Sequence, residues 1–226
     1  MRVQLNGETV VIPSSLSEIT LKQRIEFQAQ YGDQLDAMLK SILEIEDPDE
    51  KEIELTQFQI ERMVRTVAFF LNTTVDALKE SQSLDQIANL YYPNLSLLLE
   101  EENITPKYEF EWIDSKWHLH VPELKNGHKM TFGEFIDSKQ IIQDLLGLSK
   151  NKWECLIPLC AIFLRKEGEE YQESFLYEDS DRLKLMETVP LDIAIQVGFF
   201  LSNSLNTFIK TSLSFHRPDL NIQEKI

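Results

Sequence analysis

His118 and His120 sit two positions apart, and on a strand that spacing points both imidazoles to one face. A His-x-His pair can hold a metal, but it needs a third ligand and an outer shell that orients it. Nothing in the sequence marks a third ligand, so the pair reads as the exposed face of a hairpin whose other face carries Trp117 and Leu119. Cys155 and Cys160 lie five apart in an apolar stretch, which on a helix turns them to different faces. That spacing suits neither a zinc knuckle nor a redox pair, and the two read as small buried hydrophobes. Glu46-Asp47-Pro48-Asp49-Glu50 and Glu178-Asp179-Ser180-Asp181 invite calcium, but both lack the glycine and the closing glutamate of a calcium loop in register. No carboxylate pair stands beside an aromatic sugar platform. The seven glycines are scattered singly, and no serine or cysteine sits in a nucleophile elbow. No catalytic residue, metal ligand or cofactor site is assigned, and the chain is expected not to be an enzyme.

Aromatic side chains point instead to contacts. Trp112, Trp117, Tyr91, Tyr92 and Phe215 lie in or near hairpins and connectors. Their default place is a core. The alternative is an interface, where aromatics supply large contact area and dominate binding energy. These five are the interface candidates.

Composition narrows the partners. The 226 residues suffice for one large domain or for two, and 42% hydrophobic content is that of a folded chain despite a net charge of −16. So negative a chain is a poor ligand for nucleic acid, whose affinity rests on cations neutralising phosphates, and for an anionic membrane. No segment has the roughly 18–20 apolar residues that cross a bilayer, and no apolar block of a signal peptide opens the chain. With two cysteines, the expectation is a soluble protein of a reducing compartment. Much of the negative charge falls in three runs, 44–54, 100–102 and 167–181. These read as solvated loops and helix ends, or else as an acidic surface for a basic partner.

The elements that would position these residues are mostly helices. Val3, Leu5, Val10 and Ile12 flank Asn6-Gly7, a hairpin turn signal, and Pro13 stops the second strand. A helix is expected over about 20–30, ended by Gly32. A second starts at Asp33, with Leu35, Met38, Leu39, Ile42 and Leu43 at helical spacing, and the acidic run after Glu46 breaks it. Thr56 opens a long helix that stops at Asn72-Thr73-Thr74, where a fresh cap begins another. A short helix over 84–90 is ended by Tyr91-Tyr92-Pro93, and 94–107 reads as a connector. A second hairpin follows, Tyr108 to Trp112 and Trp117 to Val121, turning at Asp114-Ser115 with Phe110, Trp112, Trp117 and Leu119 available for a core. Helices are then expected at 131–146, capped by Gly147, at 150–165, and from Pro190 to about 212. Tyr171 to Tyr177 reads as a short strand inside the acidic insert.

The order repeats. Val67-Ala-Phe-Phe-Leu-Asn-Thr-Thr-Val75 and Val197-Gly-Phe-Phe-Leu-Ser-Asn-Ser-Leu205 each close a series of hairpin, proline, Thr-led helix and further helix. The fold class expected is mainly α with two small β-hairpins (α+β). Two similar modules are expected, 1–103 and 104–226. Either they arose by internal duplication, with about 19 residues inserted in the second, or they are two unrelated α-rich segments.

Leu5-Asn6-Gly7-Glu8-Thr9-Val10-Val11-Ile12-Pro13 followed by Glu18-Ile19-Thr20-Leu21-Lys22-Gln23 resembles the start of small structural and assembly proteins of tailed bacteriophages, especially crAss-like and related phages of Bacteroidetes. Met130-Thr131-Phe132-Gly133-Glu134-Phe135-Ile136 and Gly198-Phe199-Phe200-Leu201 look similar to phage tail-assembly proteins. The first hairpin and helix are also similar to a ubiquitin-like start, but the sequence after residue 30 lacks that fold's remaining strands. The phage resemblance transfers no catalytic residue. It implies a virion structural protein, or a tail or portal-region assembly protein, acting by protein–protein contact in a multi-copy particle: a ring, tail or cargo component. Its partners would be other phage structural proteins and its own copies. It would reside in the virion and, during assembly, in the host cytoplasm. The alternatives are a tail-assembly chaperone or an acidic regulator or inhibitor of a host protein.

Overall fold

The computed structural model describes residues 2–5, 8–96, 107–120, 131–147 and 153–200. The chain is mostly helical with little sheet, the mainly α arrangement with two hairpins expected from its pattern. Strands β1 (Arg2–Leu5) and β2 (Glu8–Val11) pair antiparallel with Leu5 opposite Glu8, leaving two residues, Asn6 and Gly7, between them outside the described set. Thr20 then caps α1 (Leu21–Phe27) in a full capping box with Gln23.

Gly32 does not end this helix. α1 runs through a wide π turn at Gln28–Gly32 straight into α2 (Asp33–Leu43), with Gly32 itself helical at φ −57 and ψ −54. A Cβ there would lie 2.0 Å from the Gln28 side-chain amide nitrogen, so a larger residue would require the Gln28 side chain to move. α3 (Pro48–Phe70) begins eight residues before the expected Thr56. The acidic run that reads as a breaker is its start. Asp47 accepts from the backbone N–H groups of Asp49 and Glu50, Pro48 takes the first-turn position that needs no donor, and two acids face the positive end of the helix dipole.

Thr74 and Ser83 cap α4 (Val75–Ser81) and α5 (Leu84–Leu90) as their types predict. Pro93 does not stop the chain's helical course, because the backbone widens into a π turn at Tyr91–Leu95, which accommodates a residue with no N–H to donate. The expected connector and the boundary between 103 and 104 fall outside the described residues.

β3 (Glu109–Trp112) and β4 (Ser115–Leu119) form the second hairpin, with Trp112 opposite Ser115. Its two turn residues are therefore Ile113 and Asp114, one position earlier than the sequence suggests. The hairpin gains a third antiparallel strand that the sequence reading missed, β5 (Leu164–Lys166), which continues directly from α7 (Leu156–Phe163). The expected single helix over 150–165 thus changes to strand at Leu164, where the backbone becomes extended. α6 (Phe132–Gly147) precedes it. The stretch read as a strand, Tyr171 to Tyr177, contains a 3-10 turn at Glu173–Leu176. α8 (Asp181–Met186) starts in the acidic insert under a Ser180 cap, and α9 covers 191–200.

One buried cluster joins Ile12, Leu21, Val67 and Leu78 of the first half to Trp117, Ile162, Leu191 and Val197 of the second. The backbone is stitched there too. Leu21 N–H donates to Val189 O at 3.0 Å, and Leu191 N–H donates to Ile19 O at 2.8 Å, so the cap of α1 pairs with the chain leading into α9. A smaller cluster of Phe27, Tyr31, Leu35, Ile42 and Phe58 lies between α1–α2 and α3.

Candidate functional site

The Phe-Phe-Leu segment that stands out in the sequence is a helix terminus. Asn72 takes the left-handed φ of +51 after α3; its N–H donates to Phe69 O and that of Thr73 to Ala68 O, both at 3.0 Å. This is the double bond pattern of a Schellman stop, with asparagine in the place usually held by glycine. Phe69 packs edge-on to Phe27 of the smaller cluster (5.4 Å, 85°), and Phe70 packs on the larger one. The two rings, 5.1 Å apart and nearly perpendicular, straddle the cores.

These residues form one wall of an open groove of about 1010 Å³. The end of the first hairpin, Val11 and Pro13, and one side of α1 with its π turn complete it. Pro13 and Ala68 are buried at the base, while Val11, Glu18 and Glu26 stand exposed on the rim. Glu18 accepts from the Ser14 N–H at 2.8 Å and from its hydroxyl at 3.0 Å, and these donors hold its carboxyl below the usual carboxylate range, in its charged form. Among the described residues, no lysine, arginine or histidine lines the groove.

A second feature lies at the tip of the other hairpin. Ile113 and Asp114 have φ of +48 and +52, the paired positive values of a type I′ turn. Asparagine and glycine adopt that conformation at little cost, whereas a β-branched residue there is strained. Ile113 nevertheless occupies it with 56% of its surface exposed.

The interface candidates separate. Trp117 is 0% exposed: its indole N–H donates to Trp112 O at 2.8 Å, and the Arg182 guanidinium lies 4.8 Å from its ring centre. It is a core residue and cannot meet a partner, because the side chains of Lys166 in β5 and Arg182 in α8 lie over its ring. Trp112 is half-buried against it, ring centres 4.9 Å apart, and Tyr91 is buried. Tyr92 is 62% exposed. Phe215 lies outside the described residues.

His118 and His120 share the more open face of β4, ring centres 6.5 Å apart, and His118 Nδ1 is 3.5 Å from Glu109. Among the described residues no group of three His, Cys, Asp or Glu is placed to hold a metal. Cys155 and Cys160 are both buried and unpaired with each other, and burial pushes the Cys160 thiol far above its ordinary pKa.

Sequence reasoning missed a buried ionic network. Arg165, 1% exposed, donates to Glu134 at 2.8 Å and to the carbonyls of Ala161 and Leu164. Arg182 is paired to Glu169 at 3.1 Å and also donates to Leu164 O. Burial lowers the pKa of both guanidiniums, with Glu134 and Glu169 opposing that shift. Tyr171 and Phe175 stack on Arg165, and the Tyr171 hydroxyl donates to Asp137. Glu134 also closes the α6 capping box with Thr131, so one carboxylate serves both a helix start and a buried cation. The Thr131-x-x-Glu134 spacing was the available signal. Nothing local marked Arg165 or Arg182.

The chain matches no protein-family profile, and no curated protein or solved structure matches it either.

Proposed function

We propose that this chain works by contact with other proteins, as a non-enzymatic structural or assembly subunit of the kind its sequence resembles in tailed bacteriophages. The observation that carries this reading is Ile113. A β-branched apolar residue in a left-handed turn costs folding free energy, its exposure gains nothing for the core, and such outliers persist where a surface needs them. The hairpin tip is therefore a subunit contact, in place of the buried Trp117. Tyr92 adds one exposed aromatic anchor to it.

The test is light scattering on a sizing column across a concentration series, with the wild type and Ile113→Asn side by side. A discrete oligomer or concentration-dependent growth that Ile113→Asn weakens supports the subunit. A strict monomer at every concentration turns the assignment to the alternative, a tail-assembly chaperone or an acidic regulator of a host protein. That alternative is favoured by the groove, which is open and rimmed by carboxylates.

A further inference from the structure

The groove between the first hairpin, α1 and the end of α3 has a definite chemistry. Its base has an apolar part, from Pro13 and Ala68 with the half-buried rings of Phe69 and Phe70 and an exposed Val11 beside them, and a polar part from the amides and hydroxyls of two glutamines and residues 72–74. Its rim charge is negative, from Glu18 and Glu26, and among the described residues no lysine, arginine or histidine lines it. At about 1010 Å³ it stands at the upper end of the range for small-molecule sites, with room for several side chains of a peptide segment.

Charge decides the occupant. A second copy of a chain with net charge −16 would bring mostly like charge to this rim, and nucleic acid or an anionic lipid would bring more. An apolar segment carrying lysine or arginine satisfies both the base and the rim, and the field of the whole chain would steer it in. We propose that the groove binds such a segment of a partner protein, its apolar side chains on Phe69 and Phe70 and its cations at Glu18 and Glu26. This rests on the reading that the chain acts by protein contact, and it adds the class of partner and the place.

The Schellman stop gives the site a fixed wall. Because Asn72 and Thr73 close α3 through backbone hydrogen bonds, the two phenylalanines are held at a set position beside α1. Gln30 of the neighbouring π turn also lines the groove.

The probe is a fluorescein-labelled amphipathic leucine–lysine peptide, followed by anisotropy at about 0.15 M salt, where long-range attraction is largely screened. Its glutamate counterpart, with every lysine replaced, is the peptide control. Glu18→Gln/Glu26→Gln removes the rim charge. Glu178→Gln/Asp179→Asn removes the same charge from an exposed segment elsewhere, and circular dichroism checks that each variant is folded. The expected result is binding to the wild type and to the distant double variant alike, and roughly tenfold weaker binding to the rim variant. Val11→Ser should weaken binding while leaving its salt dependence unchanged. The glutamate peptide should not bind.

Equal losses in the two double variants would mean attraction to net charge alone and would overturn the proposal, as would absence of binding to the wild type. If the peptide fails while light scattering shows assembly sensitive to Ile113→Asn, the contact reading survives and only this occupant is wrong. If both fail, the contact reading falls as well.

Discussion

At the scale of single residues, Ile113 and Glu134 illustrate opposite uses of folding energy. Ile113 holds a backbone conformation that asparagine would hold more cheaply. Ile113→Asn should therefore raise stability by about 1 kcal/mol in a urea titration, while weakening self-association if the tip is a contact. A gain in stability without a loss of association would leave the strained tip with no role in assembly. Glu134 is the reverse, a residue the fold depends on. Its carboxylate neutralises Arg165 inside the protein, and burial leaves the guanidinium no water to turn to. Glu134→Gln keeps the Thr131 cap but strands the cation, and should cost about 3–5 kcal/mol. Adding Arg165→Met to that variant should recover a large part of the loss. A double variant as unstable as the single would show that the cost comes from packing or from the cap.

Elements here are set more by their ends than by their middles. α3 starts where an acidic run meets a proline, because Asp47 caps the first N–H groups, the proline needs no donor there and the acids face the positive end of the dipole. It stops where Asn72 can turn left-handed. Asn72→Ala should lower stability by about 1 kcal/mol, whereas Asn72→Gly should be neutral or slightly stabilising, since glycine adopts positive φ without a steric penalty. Equal effects of the two substitutions, measured by thermal unfolding, would mean that the asparagine side chain and not the backbone angle matters. At the other junctions the chain overrides local signals. Gly32 sits inside a continuous helical course, and Pro93 sits inside a π turn, because tertiary packing keeps those segments helical and the wider turn absorbs the misfit.

For the whole molecule, the two halves that look alike in sequence share one core and exchange backbone hydrogen bonds at the start of α1. Arg24 of α1 lies 4.2 Å from the ring centre of Trp153, which adds a side-chain contact between the halves. Calorimetry should accordingly give a single cooperative transition, with equal calorimetric and van't Hoff enthalpies. Two resolved transitions would mean that the halves fold as separate units joined by a weak contact. Both halves do use the same opening, a hairpin followed by a Thr-capped helix with its partner three residues on, Gln23 in one and Glu134 in the other.

Most of the local structure was legible from residue order alone. Alternation marked both hairpins. Thr20 and Thr74 marked helix starts, and Asn72 marked a stop, because caps and turns depend on side-chain and backbone chemistry within a few residues. The acidic runs at 44–54 and 167–181 reveal their helix starts by the same local rule, once Pro48 and Ser180 are read as first-turn and cap residues. What only the tertiary structure decided involves partners far apart in the chain. β5 is a strand because β4 offers it an edge; Leu164 and Arg165 alone would continue a helix. Trp117 is core because β5 and α8 cover it, although a tryptophan in a hairpin suits an exposed face equally well. The groove brings residues 11–30 against 68–74, and Arg165 finds Glu134 across 31 positions. No pattern in the sequence encodes such pairings directly, because burial and charge compensation are properties of the packed chain.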